Sequence, residues 1–180
     1  ATGLIAQGNR GTIQNIRMYN GTLNFAANKD IGIVVGYNDD IGEILDVLMI
    51  NMSLTNSSTD TTYRGVGGIA GRNEGLINGV IQIGGTIKGP GSGGNSVNSN
   101  YRPLGSIVGR NNGDIERVIG TSTLQSNETH VVYGIAGGGL IRHSVRHTKT
   151  IPDGTRYQAG VGGEADIESS YYIGGITKIH

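Results

Sequence analysis

A chain of 180 residues with 33 glycines, 3 prolines, one phenylalanine and no tryptophan is long enough for one buried core. Its glycine share, well over twice the ordinary ~7% and without matching proline, fits neither collagen nor a Pro/Gly linker. The 14 basic and 14 acidic side chains cancel, so the field that would gather nucleic acid or an anionic membrane is missing, and the lack of cysteine excludes disulfides, thiolate metal sites and a Cys nucleophile.

In chain order, six short apolar bursts stand out, "LIAQ" at 4–7, "IVVG" at 33–36, "GIAG" at 68–71, "SIVG" at 106–109, "GIAG" at 134–137 and "GVGG" at 160–163. The first four are followed two residues later by Asn9, Asn38, Asn73 and Asn111; the last two omit that turn. An isoleucine then marks each unit, as Ile13, Ile44, Ile77, Ile115, Ile141 and Ile167. Three residues further come Ile16, Val47, Val80, Val118, Ser144 and Ser170. Self-similarity at this spacing is the mark of a solenoid or related array.

Each unit reads as a short strand, a tight Gly/Asn turn, a second strand with alternating side chains, and a return segment of variable length. Glycine interrupts every window in which a helix could form. One unit cannot bury its Ile/Val face alone, so the units are expected to stack ~4.8 Å apart with equivalent side chains in ladders. The fold expected is all-β, a right-handed parallel β-solenoid of about six short coils over one domain, residues 1–180. The marker isoleucines should point inward, and Asn9, Asn38, Asn73 and Asn111 should form an internal ladder, each amide bonding the next.

The pattern G-[IV]-[AV]-G-x-N-x-G-x-I-x-x-V, best copied in "GIAGRNEGLINGV" and "SIVGRNNGDIERV", resembles the GLUG repeat of bacterial surface proteins. The ending "IESSYYIGG" is similar to the close of that repeat. Such repeats occur in secreted adhesins and in non-catalytic parts of bacterial zinc metalloproteases that cleave immunoglobulin A. The resemblance implies an extracellular or cell-surface location and a role in adhesion and virulence. It supplies no catalytic residue.

Candidate chemistry is sparse. His143 and His147 are four apart, but the glutamate of H-E-x-x-H is replaced by Ser144, and on a strand four residues span ~13 Å. No metal, cofactor or catalytic site is expected. Alignment on the marker places Glu116, Arg142 and Glu168 at one position of consecutive coils, with Asp114 and Asp166 two residues earlier. An arginine between two glutamates holds both ionised, which suits a register-keeping charge ladder and not a glycosidase pair. The polar insertions "SLTNSSTDTTYRG" and "GPGSGGNSVNSNYRPLG" end in Tyr63-Arg64 and Tyr101-Arg102, and Tyr157 follows Arg156 at a different offset, so the stripe is imperfect. Insertions at one place in a repeat emerge on one face, where Tyr and Arg favour binding.

The function expected is structural or adhesive: a non-catalytic repeat segment that displays loops or supports a neighbouring protease domain. Its partners would be neighbouring domains of the same chain, with no nucleic acid bound and no direct membrane insertion, since no apolar run reaches ~18 residues. One alternative is a module binding host glycan or protein through the Tyr/Arg loop face; another is a carbohydrate-active β-helix enzyme. "ATGLIAQGN" begins inside a repeat burst and "YYIGGITKIH" still reads as strand, so the expectation is a fragment of a longer protein.

Overall fold

A computed structural model describes residues 1–58, 65–89 and 102–125, with backbone alone at Arg102 and Pro103 and in six strands further on. Every regular element among the described residues is a strand. The first turn holds β1 (Ala6–Asn9), β2 (Thr12–Tyr19) and β3 (Thr22–Phe25). The second adds β4 (Ile31–Gly32), β5 (Val35–Asn38), β6 (Glu43–Ile50) and β7 (Ser53–Asn56). The third has β8 (Val66–Gly67), β9 (Ala70–Asn73), β10 (Leu76–Ile83) and β11 (Thr86–Lys88). The fourth has β12 (Arg102–Gly105), β13 (Val108–Asn111), β14 (Asp114–Glu116), β15 (Ile119–Gly120) and β16 (Thr123–Gln125). Beyond lie β17 (His130–Tyr133), β18 (Leu140–Arg142), β19 (Val145–His147), β20 (Arg156–Tyr157), β21 (Asp166–Glu168) and β22 (Tyr171–Ile173).

Strands from successive turns pair in parallel and build four sheets. Sheet A runs β4, β8, β12, β17, β20; sheet B runs β1, β5, β9, β13; sheet D runs β3, β7, β11, β16. Sheet C gathers β2, β6, β10 and the shorter strands β14, β15, β18, β19, β21 and β22. The molecule is therefore an all-β, parallel β-solenoid. Three turns carry a strand in all four sheets, fewer than the six coils expected, while the later units are described only in sheets A and C. The described residues of the return segment are more regular than their composition suggested, because they supply the strands of sheets D and A.

The marker isoleucines share one register in sheet C: Ile13 pairs Ile44, Ile44 pairs Ile77, Ile77 pairs Ile115, Ile115 pairs Ile141 and Ile141 pairs Ile167. Ile44, Ile77 and Ile115 are fully buried. Ile13, in the first turn, is half-buried against the core, and the side chains of Ile141 and Ile167 lie outside the described residues.

Simple alternation would send a residue three positions beyond the marker to the opposite face. Instead Val47, Val80 and Val118 are also buried. The cause is a stacked column of left-handed residues between each pair: Asn15, Asp46, Gly79 and Arg117, with φ of 59°, 58°, 68° and 50°. One such residue bends each strand and turns the next side chain back inward.

Sheets A and B approach so closely at their shared corner that side chains do not fit between them. A Cβ on Gly71 would overlap the backbone of Asp30 and Ile31. This contact explains the glycine that closes the apolar burst. Elsewhere the core is Ile, Val and Leu, including Ile33, Leu54, Ile69, Ile87, Leu104 and Ile107. Its character changes along one inward column, where Met18 pairs Met49, Met49 pairs Gln82 and Gln82 pairs Gly120. Gln82 is fully buried, as are Ser106 and Ser122 beside it.

Candidate functional site

The turn between sheets B and C carries the densest polar arrangement in the described residues, and it lies inside the solenoid. Asn9, Asn38, Asn73 and Asn111 end the four strands of sheet B in register. Asn9 Nδ2 donates to Asn38 Oδ1 at 2.8 Å, Asn38 Nδ2 to Asn73 Oδ1 at 2.7 Å, and Asn73 Nδ2 to Asn111 Oδ1 at 2.7 Å. The last three also donate to glycine carbonyls that close their own turns, at Gly42, Gly75 and Gly113. Asn38, Asn73 and Asn111 are wholly buried. An amide side chain can donate twice and accept at once, so one residue type links adjacent turns and caps its own.

The residues flanking these asparagines form two columns on the outside. Gly8, Tyr37, Arg72 and Arg110 precede them, paired Gly8 to Tyr37, Tyr37 to Arg72 and Arg72 to Arg110. Arg10, Asp39, Glu74 and Asn112 follow them, and backbone bonds from Asp39, Glu74 and Asn112 to Asn9, Asn38 and Asn73 keep that column in step. Across the columns, the Tyr37 hydroxyl donates to Glu74 Oε2. Arg72 forms an ion pair with Glu74 Oε1 and its guanidinium lies 5.1 Å from the centre of the Tyr37 ring. Arg10 Nε meets Asp39 Oδ2 at 3.1 Å.

These contacts set the protonation states. The hydrogen bond to Glu74, with burial and the nearby carboxylate, pushes the Tyr37 phenol up to about 12. The same bond, followed by Arg72, holds the Glu74 carboxyl below its usual range. Asp39 is likewise lowered, first by the backbone N–H of Asp40. Near neutral pH the cluster is a protonated phenol, a carboxylate and a guanidinium joined to one another, with Arg72 Nε buried and without a hydrogen-bond partner among the described residues. A general acid or base needs a pKa near the working pH, and neither Tyr37 nor Glu74 has one.

The Tyr/Arg loop residues fall largely outside the described residues. Tyr63, Arg64 and Tyr101 lie outside the described residues. Arg102 opens β12 and pairs with His130, and Tyr157 ends β20 and pairs with Val132, both through the backbone; their side chains lie outside the description. The charge column is placed by backbone register, Glu116 beside Arg142 and Arg142 beside Glu168, with Asp114 and Asp166 flanking Leu140. Glu116 Oε2 accepts from Asn78 Nδ2 at 3.5 Å. His143 lies outside the described residues, and His147 is placed by backbone pairing with Ile173. Among the described residues no group of three or more His, Asp or Glu side chains gathers as a metal site.

The Tyr37, Arg72 and Glu74 cluster escaped the sequence reading, which aligned the units on isoleucine. Alignment on the asparagines exposes it, since its members immediately precede or follow them. In comparisons with family models, with curated proteins and with solved structures, nothing matches this chain.

Proposed function

We propose that the chain is a non-catalytic structural segment, a spacer within a secreted or surface-attached bacterial adhesin or protease, of the GLUG repeat type. In this reading it is a right-handed solenoid of about six coils that holds loops, or neighbouring domains of its own chain, at fixed spacing. The observation that carries the reading is the asparagine ladder: the buried side-chain amides of Asn38, Asn73 and Asn111 are committed to joining turns and capping them. The outer Tyr37, Arg72 and Glu74 cluster ties two adjacent turns together, which suits a staple between turns. The unbroken marker register from Ile13 to Ile167 supports six units. Right-handed winding follows the strong preference of parallel strand crossovers.

The test is to screen the 180-residue chain against a glycan array and immobilised host matrix proteins. A spacer shows no saturable binding. Saturable binding lost in Tyr63→Ala or Tyr101→Ala would reassign the chain as a binding module. Glycan cleavage lost in Glu168→Gln would make it a carbohydrate-active enzyme.

A further inference from the structure

The outer face of sheet C, beyond the left-handed bend, carries an apolar field that stays partly exposed among the described residues. Leu48, Ile81 and Ile119 form one outward column, which Arg17 begins in the first turn, and Ile50 and Ile83 belong to the next, which Tyr19 begins. Ile81, Ile83 and Ile119 are 38%, 45% and 37% exposed, while Leu48 and Ile50 are half-buried. A contiguous apolar face of this kind on a soluble domain marks an interaction surface. Along its other side runs the left-handed column, in which Gly79 stands between Asp46 and Arg117, one turn away on either side. Asp46 is exposed; Arg17 donates to its carbonyl at 2.6 Å, and the same guanidinium lies 4.0 Å from its carboxylate. Arg117 is also exposed, and its Nε donates to Asn78 Oδ1 at 2.9 Å.

We propose that this face joins two copies of the chain, packed sheet on sheet with their solenoid axes antiparallel and a two-fold axis lying along β10. The charge pattern selects that partner and that orientation. Rotation about an axis along β10 exchanges the turn above with the turn below and keeps each column facing itself. Asp46 then meets the partner's Arg117, twice over by symmetry. Leu48 meets the partner's Ile119, and Ile81 and Ile83 meet their own counterparts. Sheets stacked ~10 Å apart bring such side chains into contact. The other face-to-face arrangement, with the two-fold axis along the solenoid, sets Asp46 against the column of Ile50 and Ile83 and Arg117 away from Asp46, so neither charge gains the other as it loses water, which is unfavourable.

Sedimentation equilibrium on the 180-residue chain should show a dimer in the micromolar range. Asp46→Arg or Arg117→Asp alone should weaken it by about tenfold or more, and the double variant should restore it. Both positions already hold the exchanged residue types at positive φ, and circular dichroism will verify that each variant keeps the sheet. Because the chain has no cysteine, cross-linking can report the register. Ile81→Cys should oxidise to a covalent dimer. Leu48→Cys should not link to itself, since its counterpart lies two turns, ~9.6 Å, along the axis, but should link in a mixture with Ile119→Cys. A monomer at ~100 µM, a dimer indifferent to either charge reversal, or self-linking through Leu48→Cys overturns the proposal.

Discussion

Asn38 Nδ2 donates to Asn73 Oδ1 at 2.7 Å across a sequence separation of 35, so each amide is a partner its neighbour cannot replace from solvent. Removing the Asn73 side chain deletes its bonds to Asn38, Asn111 and Gly75 and strands buried groups that cost about 1–3 kcal/mol each. We expect Asn73→Ala to destabilise the fold by about 3–5 kcal/mol in urea unfolding. Asn9→Ala, at the 7% exposed start of the ladder, should cost clearly less. Equal losses at the two positions would mean that the ladder is not what joins the turns.

The bend in sheet C gives a test of backbone conformation alone. A Cβ added at Gly79 would lie 3.6 Å from the nearest heavy atom, Asp46 N, so space is available and the φ of 68° is the only obstacle. Gly79→Asn should be tolerated within about 1 kcal/mol, while Gly79→Val should cost at least about 2. Gly71→Ala should be worse still, because its Cβ would overlap the Asp30 and Ile31 backbone. Thermal unfolding of the three variants should rank them in that order.

Gln82 is the polar member of a column that runs from Met18 and Met49 to Gly120. Its Nε2 is buried without a hydrogen-bond partner among the described residues, and Ser122 Oγ approaches its Oε1 at only 3.4 Å. Gln82→Met, which continues the column with similar volume, should raise stability by about 1–2 kcal/mol. The urea midpoint should increase with an unchanged slope. A lower midpoint would show that the amide is satisfied by internal water.

The Tyr37 and Glu74 pair makes stability depend on pH at both extremes. Glu74 has a lowered pKa in the fold, so its contribution is present above the unfolded value of about 4.3 and is lost as pH falls through the folded one. Tyr37 is raised to about 12, so its contribution is present below about pH 10 and is lost as pH rises towards 12. Urea midpoints measured against pH should therefore fall at both ends. Because one bond shifts both groups, Glu74→Gln should remove the acid limb and weaken the alkaline one, and Tyr37→Phe should remove the alkaline limb and weaken the acid one. An acid limb unchanged in Glu74→Gln would assign that dependence to other carboxylates.

Repetition itself can be tested by deletion. Val66 and Leu104 occupy equivalent positions in sheet A, as do Ile77 and Ile115 in sheet C, so removing residues 66–103 excises one whole turn. That variant should fold with a strand-type circular dichroism spectrum and a cooperative transition. Removing residues 66–84 should not, because it leaves half a turn and breaks every ladder. Folding of both variants would argue against register as the organising constraint.

The repeat was legible because stacking imposes identity at equivalent positions. The marker isoleucines pair in the register that their alignment set, and Asn9, Asn38, Asn73 and Asn111 fall in one column, because a ladder needs the same residue in each turn. Parallel all-β stacking followed from one unit having too little apolar surface to fold alone. The four-sided cross-section was not legible, since Ser53–Asn56 and Thr86–Lys88 look like polar loop until the turns above and below provide backbone partners. Nor was the inward return of Val47, Val80 and Val118, because Asn15, Asp46, Gly79 and Arg117 share no side-chain chemistry and are united only by their φ. Tyr37, Arg72 and Glu74 are scattered along the chain, and only the stacking of turns places phenol, guanidinium and carboxylate side by side. Local sequence determined what repeats, since each turn must present the same groups to its neighbour; tertiary stacking decided which unlike residues meet, because contacts between turns depend on register across dozens of residues and not on any motif within one.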